Sequence, residues 1–462
     1  MNTNKLNRRI ILLLFCCMIS FVSCRKFLDK KITNGITTPT QLSDLQALLD
    51  EALGLNESIT PVYGEASSDD YFLNPDYKTV LDKNPLLKNV YIRRPYEYSF
   101  QNDWSKAYLE IYNANYCLDM IKAIPASTDN RNQWDNVYGS ALFMRAYYFL
   151  LLTWEYAKAF DREASSRDLG IVLRLTSDFN VPSQRSSVKQ CYDQIVNDVM
   201  ESVGHLPDFP VHVYRPSKWA AYGLLARTYL SMRQYDSAYK YADECLKLRS
   251  DLMDFNGDKD VKPLGGKYPF SKFNKETIYY TGRSGWVVAA LSAANYMFID
   301  SGLVKSYEEN DLRKTAFFSL VKGNYTFTGS YSQNATNFTG IATDEIFLIR
   351  AECAARLNNI KEALFDLNTL LASRYKSGSF LPLEILTKEG LIDRILLERR
   401  KELISRNLRW MDLKRLNKEN KSIVLVRVYE GNTYTLQPNA NYYALPLPTD
   451  IIKLAQIQQN DE

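Results

Sequence analysis

Apolar residues recur at intervals of three and four along most of the chain, the spacing that gathers side chains on one face of an α-helix. Trp104, Ile111 and Leu118 share one such face, and Pro125 ends the run that contains them. The same spacing predicts helices over 42–53, 104–124, 134–160, 187–203, 218–231, 236–248, 346–357, 360–373 and 389–416. The pattern therefore favours a chain built mainly from helices.

The predicted helices at 218–231 and 236–248 are so close in sequence that they form a helical hairpin. Small residues such as Ala226 and Ala238 let the two helices approach, and Tyr229 fills the groove between them, as in a tetratricopeptide repeat. Two further pairs show the same plan: 346–357 with 360–373, and 134–160 with 187–203. Because the pairs do not follow one another at a constant period, the sequence does not predict a continuous solenoid.

Residues 251–345 break the helical pattern. They are rich in glycine, asparagine, serine, threonine and aromatic residues, with short strand-like pieces at 277–280 and 325–327. Alternation of apolar and polar positions returns after residue 422. The prediction is an all-α fold of tetratricopeptide-like helical hairpins, which form a scaffold that carries a loop-rich insertion with short strands.

The first 23 residues have the form of an export signal. Basic residues precede an apolar run from Ile10 to Val22, which is too short to span a hydrocarbon core of about 30 Å. Ser23 followed by Cys24 at the end of this run resembles a bacterial lipobox, whose cysteine is acylated. We therefore expect a signal peptide at 1–23 and lipidation of Cys24. Plain cleavage near Ser23 and an uncleaved interfacial anchor are the alternatives.

The charge balance argues against nucleic acid as a partner. The chain has 57 lysines and arginines against 53 acidic residues, for a net charge of +4. Three of the positive charges lie in the predicted signal peptide, which leaves +1 on the mature chain. Such a chain has no basic surplus with which to hold a polyanion.

The sequence predicts no metal ion and no cofactor. Only two histidines are present. The acidic run from Asp254 to Asp260 imitates a calcium loop, but Lys259 and Gly265 stand where that loop needs glycine and glutamate, so we expect an acidic turn. Four cysteines lie in helical patterns without C-x-x-C spacing, which favours buried free thiols over zinc ligands or two disulfides: Cys117, Cys191, Cys245 and Cys353.

Two charged clusters have residues suited to acid–base chemistry. Asp69 and Asp70 form a carboxylate pair, but adjacent residues do not flank a glycosidic bond from opposite sides. We expect a loop or a ligand contact there, with hydrolysis as the alternative. Residues 398–412 combine glutamate, arginine and aspartate at helical spacing, which predicts a buried charge network between the C-terminal helix and the repeats.

Aromatic residues give the strongest indication of a ligand. The chain has 32 tyrosines, 21 phenylalanines and 6 tryptophans, and Trp286 stands in a glycine-flanked loop within 251–345. An exposed ring beside polar side chains suits the apolar face and hydroxyl rim of a sugar. The candidate ligand contacts are Trp286, Tyr71, Tyr77, Tyr96, Tyr98, Tyr280, Tyr296, Asp69, Asp70 and Arg283. Local packing is the alternative for each of the aromatic residues.

Six distinctive motifs follow one another along the chain. They are CRKFLD at 24–29, RAYYF at 145–149, the hairpin at 218–242 with NKETIY at 274–279, LIRAE at 348–352 with ALFDLN at 363–368, ERRKEL at 398–403 with RWMDLKR at 409–415, and YALPLP at 443–448 with QN at 459–460. In this order they resemble the motifs of the SusD/RagB family, the surface lipoproteins of Bacteroidota nutrient-uptake systems. Arg406 and Asn407 depart from the usual Glu-Gly, although asparagine tolerates the left-handed backbone that glycine supplies.

The resemblance implies one SusD-like domain over 24–462. Its parts are a helical region at 24–250, a ligand-binding insertion at 251–345 and a C-terminal region at 346–462. It also implies a lipid anchor in the outer membrane, an extracellular position, binding of oligosaccharide and delivery to a SusC-like TonB-dependent transporter, without enzymatic activity. A peptide-binding member of the family and a repeat scaffold that binds only protein are the alternatives.

Overall fold

The computed structural model describes residues 39–283, 297–385 and 387–461. Its N-terminal part is a run of short helices. The elements are α1 (Leu42–Leu49), α2 (Ala52–Leu55), α3 (Tyr63–Ser67), β1 (Tyr71–Leu73), α4 (Lys78–Lys83) and α5 (Pro85–Ile92). The helix predicted over 42–53 is divided in two, because α1 ends before Asp50 and the side chain of Glu51 caps α2. Leu42, Leu45 and Leu49 are buried, so the apolar face of α1 packs as its spacing predicts.

Three long helices form the centre of the N-terminal half. They are α6 (Asp103–Met120), α7 (Arg131–Tyr156) and α8 (Val188–Val203), and the short strands β2 (Leu169–Val172) and β3 (Arg185–Ser187) lie between the last two. Every residue of α7 from 139 to 156 is buried, because α6 and α8 both pack against it. Ser187 and Gln190 form the reciprocal capping box at the start of α8 that the sequence indicates.

The predicted hairpin is formed by α9 (Lys218–Ser231) and α10 (Tyr235–Leu248). Ala226, Ala238 and Ala242 have no exposed surface, so the two helices pack closely at these positions. Tyr229 stacks on Tyr241, with 5.6 Å between ring centroids. The small and aromatic positions therefore have the roles expected in a tetratricopeptide-like pair.

The insertion contains more regular structure than its sequence predicts. It holds β4 (Thr277–Tyr279), β5 (Met297–Ile299), α11 (Ser301–Lys305), α12 (Arg313–Phe317), β6 (Phe318–Val321), β7 (Asn324–Phe327) and β8 (Ile341–Ala342). The strands pair antiparallel, β1 with β5, β4 with β8 and β6 with β7. Phe255, Phe270, Phe317, Tyr331 and Phe338 belong to a separate apolar core, so the insertion is not a set of unsupported loops.

A second hairpin and a C-terminal tail complete the chain. The elements are α13 (Thr343–Arg356), α14 (Ile360–Ala372), α15 (Lys388–Glu402), α16 (Arg409–Asn417), β9 (Leu425–Tyr429), β10 (Asn432–Leu436) and α17 (Thr449–Ala455). Helix α10 packs against α13, which stacks the two hairpins. The helix predicted over 389–416 is divided between α15 and α16, where Asn407 has the left-handed φ of 60°.

Buried ion pairs connect the C-terminal helices to the rest of the structure, as the sequence predicts. Arg313 of α12, which has no exposed surface, donates to Glu398 and Glu402 of α15. Arg415 of α16 forms a two-point ion pair with Glu352 of α13, at 2.6 and 2.8 Å. The charges of residues 398–415 therefore link α15 to α12 and α16 to α13 through the interior.

The four predicted thiols are confirmed as buried and unbonded: Cys117, Cys191, Cys245 and Cys353. Among the described residues, none of the helices combines the length and the hydropathy that crossing a membrane requires.

Candidate functional site

The carboxylate pair Asp69–Asp70 lies between α3 and β1, where it meets two arginines of the C-terminal helices. Arg409 donates from Nε and Nη2 to the two carboxylate oxygens of Asp69, at 2.7 and 2.9 Å. Arg400 donates from Nε to Oδ1 of Asp70 at 2.8 Å, and its Nη2 lies 3.9 Å from Oδ1 of Asp300. We call these five residues the Asp69–Asp70 cluster. It fastens the N-terminal part of the chain to α15 and α16.

Burial and the arginines oppose each other in this cluster: at Asp70 burial outweighs the arginines and raises the pKa, whereas Asp69 shows the reverse. Burial acts to raise the pKa of Asp69, but Arg409 and Arg400 outweigh it and hold that pKa well below its usual range. Burial raises the pKa of the neighbouring Glu65 to about 8, so this carboxyl is protonated at neutral pH. Its Oε2 atom is enclosed by protein, where a polymer substrate has no access. The arrangement therefore supports a structural role for these carboxylates over hydrolysis.

The five candidate tyrosines that the structure describes are buried. The exposed fractions of Tyr71, Tyr77, Tyr96, Tyr98 and Tyr280 are 2, 3, 5, 7 and 0%. The rings of Tyr96 and Tyr98 lie 5.4 Å apart, and the Tyr98 hydroxyl donates to the carbonyl oxygen of Pro446 at 2.9 Å. These rings cover one another, so they belong to the core and form no exposed platform, which corrects that part of the prediction.

Trp286, Tyr296 and the lipidation candidate Cys24 lie outside the described residues, so their roles stay predictions. Arg283, the last described residue before 284–296, is buried and donates its backbone N–H to the carbonyl oxygen of Asn337 at 3.0 Å. It also forms a bridge with Thr60.

Met297, the first residue after that segment, pairs with Leu73 in the β1–β5 ladder. Asp300 then donates its N–H to the carbonyl oxygen of Asp70 at 2.8 Å. Both described ends of the segment therefore contact residues 60–73, the stretch that contains Asp69 and Asp70.

The acidic run at 254–260 forms a turn held by its own hydrogen bonds. Oδ1 of Asp254 accepts from the backbone and side-chain nitrogens of Asn256, both at 2.9 Å. The carboxylate of Asp258 pairs with Lys275. No group of metal-ligating side chains occurs here or elsewhere in the described ranges. The arrangement agrees with the predicted acidic turn.

The structure also contains an apolar groove of about 1030 Å³ that the sequence did not indicate. One wall is α6, the second is the loop 173–183 and the third is α17, and we call this cavity the α6 groove. Tyr112 of α6 stacks on Phe179 of the loop, with 4.9 Å between ring centroids and 21° between ring planes. Trp104 forms the inner part of the same wall.

Hydrogen bonds fix the loop 173–183 to α6. Asn115 donates from Nδ2 to the carbonyl oxygen of Arg174 at 2.7 Å. Oδ2 of Asp119 accepts from the backbone and the hydroxyl of Ser177, at 2.8 and 2.9 Å, and from the Thr176 hydroxyl at 3.1 Å. Burial acts to raise the pKa of Asp119, but these bonds and Lys122 lower it to about 2. The loop therefore holds its apolar side chains in a defined position.

Two family models match the chain, one after the other. Residues 26–230 match a SusD-like model described as starch-binding and associating with the outer membrane, and residues 252–461 match the SusD family model. SusD-like protein P2 of Formosa agariphila is 27% identical over 428 residues, covering 78% of this chain and 79% of the relative. The two matched ranges overlap all six motifs, although residues 24–25 and 231–242 lie outside them.

Solved structures of low sequence identity share the fold. A SusD superfamily protein from Bacteroides thetaiotaomicron superposes with a TM-score of 0.72 at 21% identity, covering 91% of this chain and 100% of the other. A SusD-like carbohydrate binding protein from Bacteroides vulgatus gives a TM-score of 0.65 at 20% identity, with coverages of 90% and 97%. The predicted all-α fold is thus confirmed.

Proposed function

Because this chain belongs to the SusD/RagB family, we propose that it is an outer-membrane lipoprotein exposed on the cell surface. In this role it binds nutrient oligosaccharides and delivers them to a partner SusC-like TonB-dependent transporter. The observation that carries the proposal is the match of both halves of the chain to family models, one of them described as starch-binding and associating with the outer membrane.

Trp286 and Tyr296 are the proposed aromatic contacts, and Asp69 is the proposed polar contact. Asp70 and Arg283 are 4 and 7% exposed, as little as the candidate tyrosines, so we do not propose them as ligand contacts. The accessible edge of the Asp69–Asp70 cluster supports this assignment. The side chains of Asp69, Arg400 and Asp300 are 20, 23 and 40% exposed. Carboxylate and guanidinium groups at such an edge can bind sugar hydroxyls while aromatic rings stack on the C–H faces of the sugar.

Calorimetric titration of the lipid-free mature chain against a panel of polysaccharides and oligosaccharides tests whether the protein binds glycans. We expect binding to at least one glycan, and at least a tenfold loss of affinity in Trp286→Ala. Phe365→Ala is the matched control, because Phe365 is an exposed ring on α14, with 66% of its surface accessible. Binding of peptides with silence across the sugars would favour a peptide-importing member, and silence toward both would favour a protein-binding scaffold.

Two experiments test the proposed lipid anchor and the proposed position of the protein on the cell surface. Radiolabelled palmitate is expected to enter the wild-type chain and not Cys24→Ala. Protease added to whole cells is expected to digest the wild-type protein. Protection from protease, or label retained by the variant, would contradict a surface lipoprotein anchored at Cys24.

The chain is proposed to bind its ligand without reaction. Arginine partners occupy the carboxylates of Asp69 and Asp70, which leaves neither as a free base or nucleophile. We expect no reducing-end product from any glycan that binds. Product formed by the purified wild type and abolished in Asp69→Ala or Asp70→Ala would reinstate hydrolysis.

A further inference from the structure

The α6 groove brings large apolar side chains to the surface from separate parts of the chain. Phe100, Leu109, Phe179, Val181 and Leu454 are 70, 55, 77, 44 and 83% exposed, and all of them line this one cavity. Single apolar residues on a surface need no explanation, whereas a contiguous apolar patch usually marks an interaction site.

Most of the polar side chains that line the groove are already engaged within the protein, and Lys106 is an exception. The guanidinium of Arg174 donates to the carbonyl oxygens of Asp178 and Val181. Asn115 and Asp119 hold the same loop. A sugar requires polar partners for its ring of hydroxyls, and burying hydroxyls without such partners costs free energy. The groove therefore suits apolar side chains better than an oligosaccharide.

The shape and the charge of the groove further restrict the kind of ligand that it can bind. A bilayer surface is nearly planar at this scale and does not fill a concave volume of about 1030 Å³, whereas a protein segment can. Lys106 lines the groove and Lys453 lies beside Leu454 on α17. In the part of the chain that the structure describes, neither lysine forms an ion pair. Both are therefore available to acidic groups of a partner.

We propose that the α6 groove docks a segment of the partner transporter that carries apolar anchors flanked by acidic residues. This inference rests on the proposed function, since it assigns a surface to the transporter contact. The arrangement of apolar and aromatic anchors within a charged rim is that of a protein interface centre. Phe179 and Leu454, the most exposed of the anchors, are expected to contribute most of the affinity.

The test measures binding of the purified SusC-like transporter from the same bacterium to the lipid-free mature chain, beside a glycan titration of the same samples. We expect Phe179→Ala and Leu454→Ala to weaken transporter binding at least tenfold each. Lys106→Glu with Lys453→Glu is expected to weaken it and reduce its salt dependence. Phe365→Ala is the control, and glycan affinity is expected to stay within twofold in every variant.

The possible results separate this inference from the function on which it rests. Transporter binding within twofold of wild type in all groove variants would overturn the docking surface while leaving the proposed function intact. Loss of glycan affinity with transporter binding retained would overturn it in favour of a ligand groove. Variants that lose only binding to anionic vesicles would identify a membrane contact instead. A wild-type chain that binds neither glycan nor transporter would overturn both proposals.

Discussion

Replacing Arg415 by methionine tests whether the buried ion pairs hold the C-terminal helices in place. Arg415 is 1% exposed and donates to both carboxylate oxygens of Glu352. Its Nε donates to Oδ1 of Asp412 at 2.7 Å. Methionine replaces the aliphatic part of the arginine side chain and carries no guanidinium, so the substitution removes three hydrogen bonds and leaves the buried carboxylates with fewer partners.

Two independent routes give the magnitude of the loss. Removing one partner of a buried ion pair usually costs about 3–5 kcal/mol. Burial acts to raise the pKa of Glu352, but Arg415, Arg356 and Arg399 outweigh it and lower the pKa from 4.5 to about 2. That lowering corresponds to about 3 kcal/mol at neutral pH, since one pH unit is worth about 1.4 kcal/mol. Because the other arginines remain, we expect the unfolding free energy to fall by about 3 kcal/mol.

Urea unfolding of the lipid-free mature chain, followed by circular dichroism and tryptophan fluorescence, measures this loss. Arg249→Met is the matched control, because Arg249 pairs with Asp251 at the surface, where the side chains are 45 and 51% exposed. Such a surface change is expected to have little effect on stability. The double variant Arg415→Met/Glu352→Gln is expected to recover part of the loss, since it no longer buries a carboxylate that has lost two of its hydrogen bonds from arginine.

The pH dependence of the unfolding free energy provides a second test, and the direction of the expected change is known. Because the folded pKa of Glu352 is depressed, its stabilisation is fully present above about pH 4.5 and is lost as the pH falls toward 2. The gap between wild type and Arg415→Met should therefore narrow over that range. A cost below about 1 kcal/mol at pH 7, or a gap that stays constant down to pH 3, would refute the reasoning.

Three further predictions follow from packing and hydrogen bonds. Asp119→Asn weakens the attachment of the loop 173–183, so trypsin should cleave faster after Arg174, and an unchanged rate would contradict that attachment. Gly64→Ala places a Cβ 2.9 Å from the Trp410 ring and should lower the unfolding free energy by about 1–3 kcal/mol, whereas Gly257→Ala, which meets nothing within 4 Å, should not. The buried thiols should resist Ellman's reagent until the chain unfolds: Cys117, Cys191, Cys245 and Cys353.

The helical scaffold was predictable because the apolar spacing and the capping residues that specify each helix lie within or next to that helix. The hairpin of α9 and α10 begins and ends within one residue of the positions predicted from apolar spacing. The capping box at Ser187 requires only the next three residues. Helix breaks were harder to predict, since the division between α15 and α16 depends on a left-handed backbone at Asn407, which apolar spacing does not reveal.

The candidate site was less predictable because its contacts are distant in sequence. Asp69 pairs with Arg409, which is 340 positions away, and the Tyr98 hydroxyl reaches Pro446, which is 348 positions away. A tyrosine at an irregular position has the same sequence signature in a core as on a ligand platform. Burial of the candidate tyrosines therefore became visible only in the folded chain.

The α6 groove could not be predicted from the sequence either, because its walls come from segments that are far apart in the chain. Its walls come from α6, from the loop 173–183 and from α17, and none of these segments has an unusual composition. Loop residues such as Phe179 look like ordinary hydrophobic residues until the loop is fixed against Asp119. Only that fixation turns a separate apolar residue into one wall of a shared cavity.

The same long-range contacts explain why the two halves matched by the family models depend on each other. Lys414, from the second half, donates to the carbonyl oxygens of Trp154 and Ala157 at the end of α7, where the helix leaves its last carbonyls without partners. The N–H of Leu445 donates to the carbonyl oxygen of Glu155 at 2.9 Å. The most buried helix of the first half thus ends on groups supplied by the second. The α6 groove and the Asp69–Asp70 cluster likewise draw residues from both halves, so each candidate surface requires the complete chain.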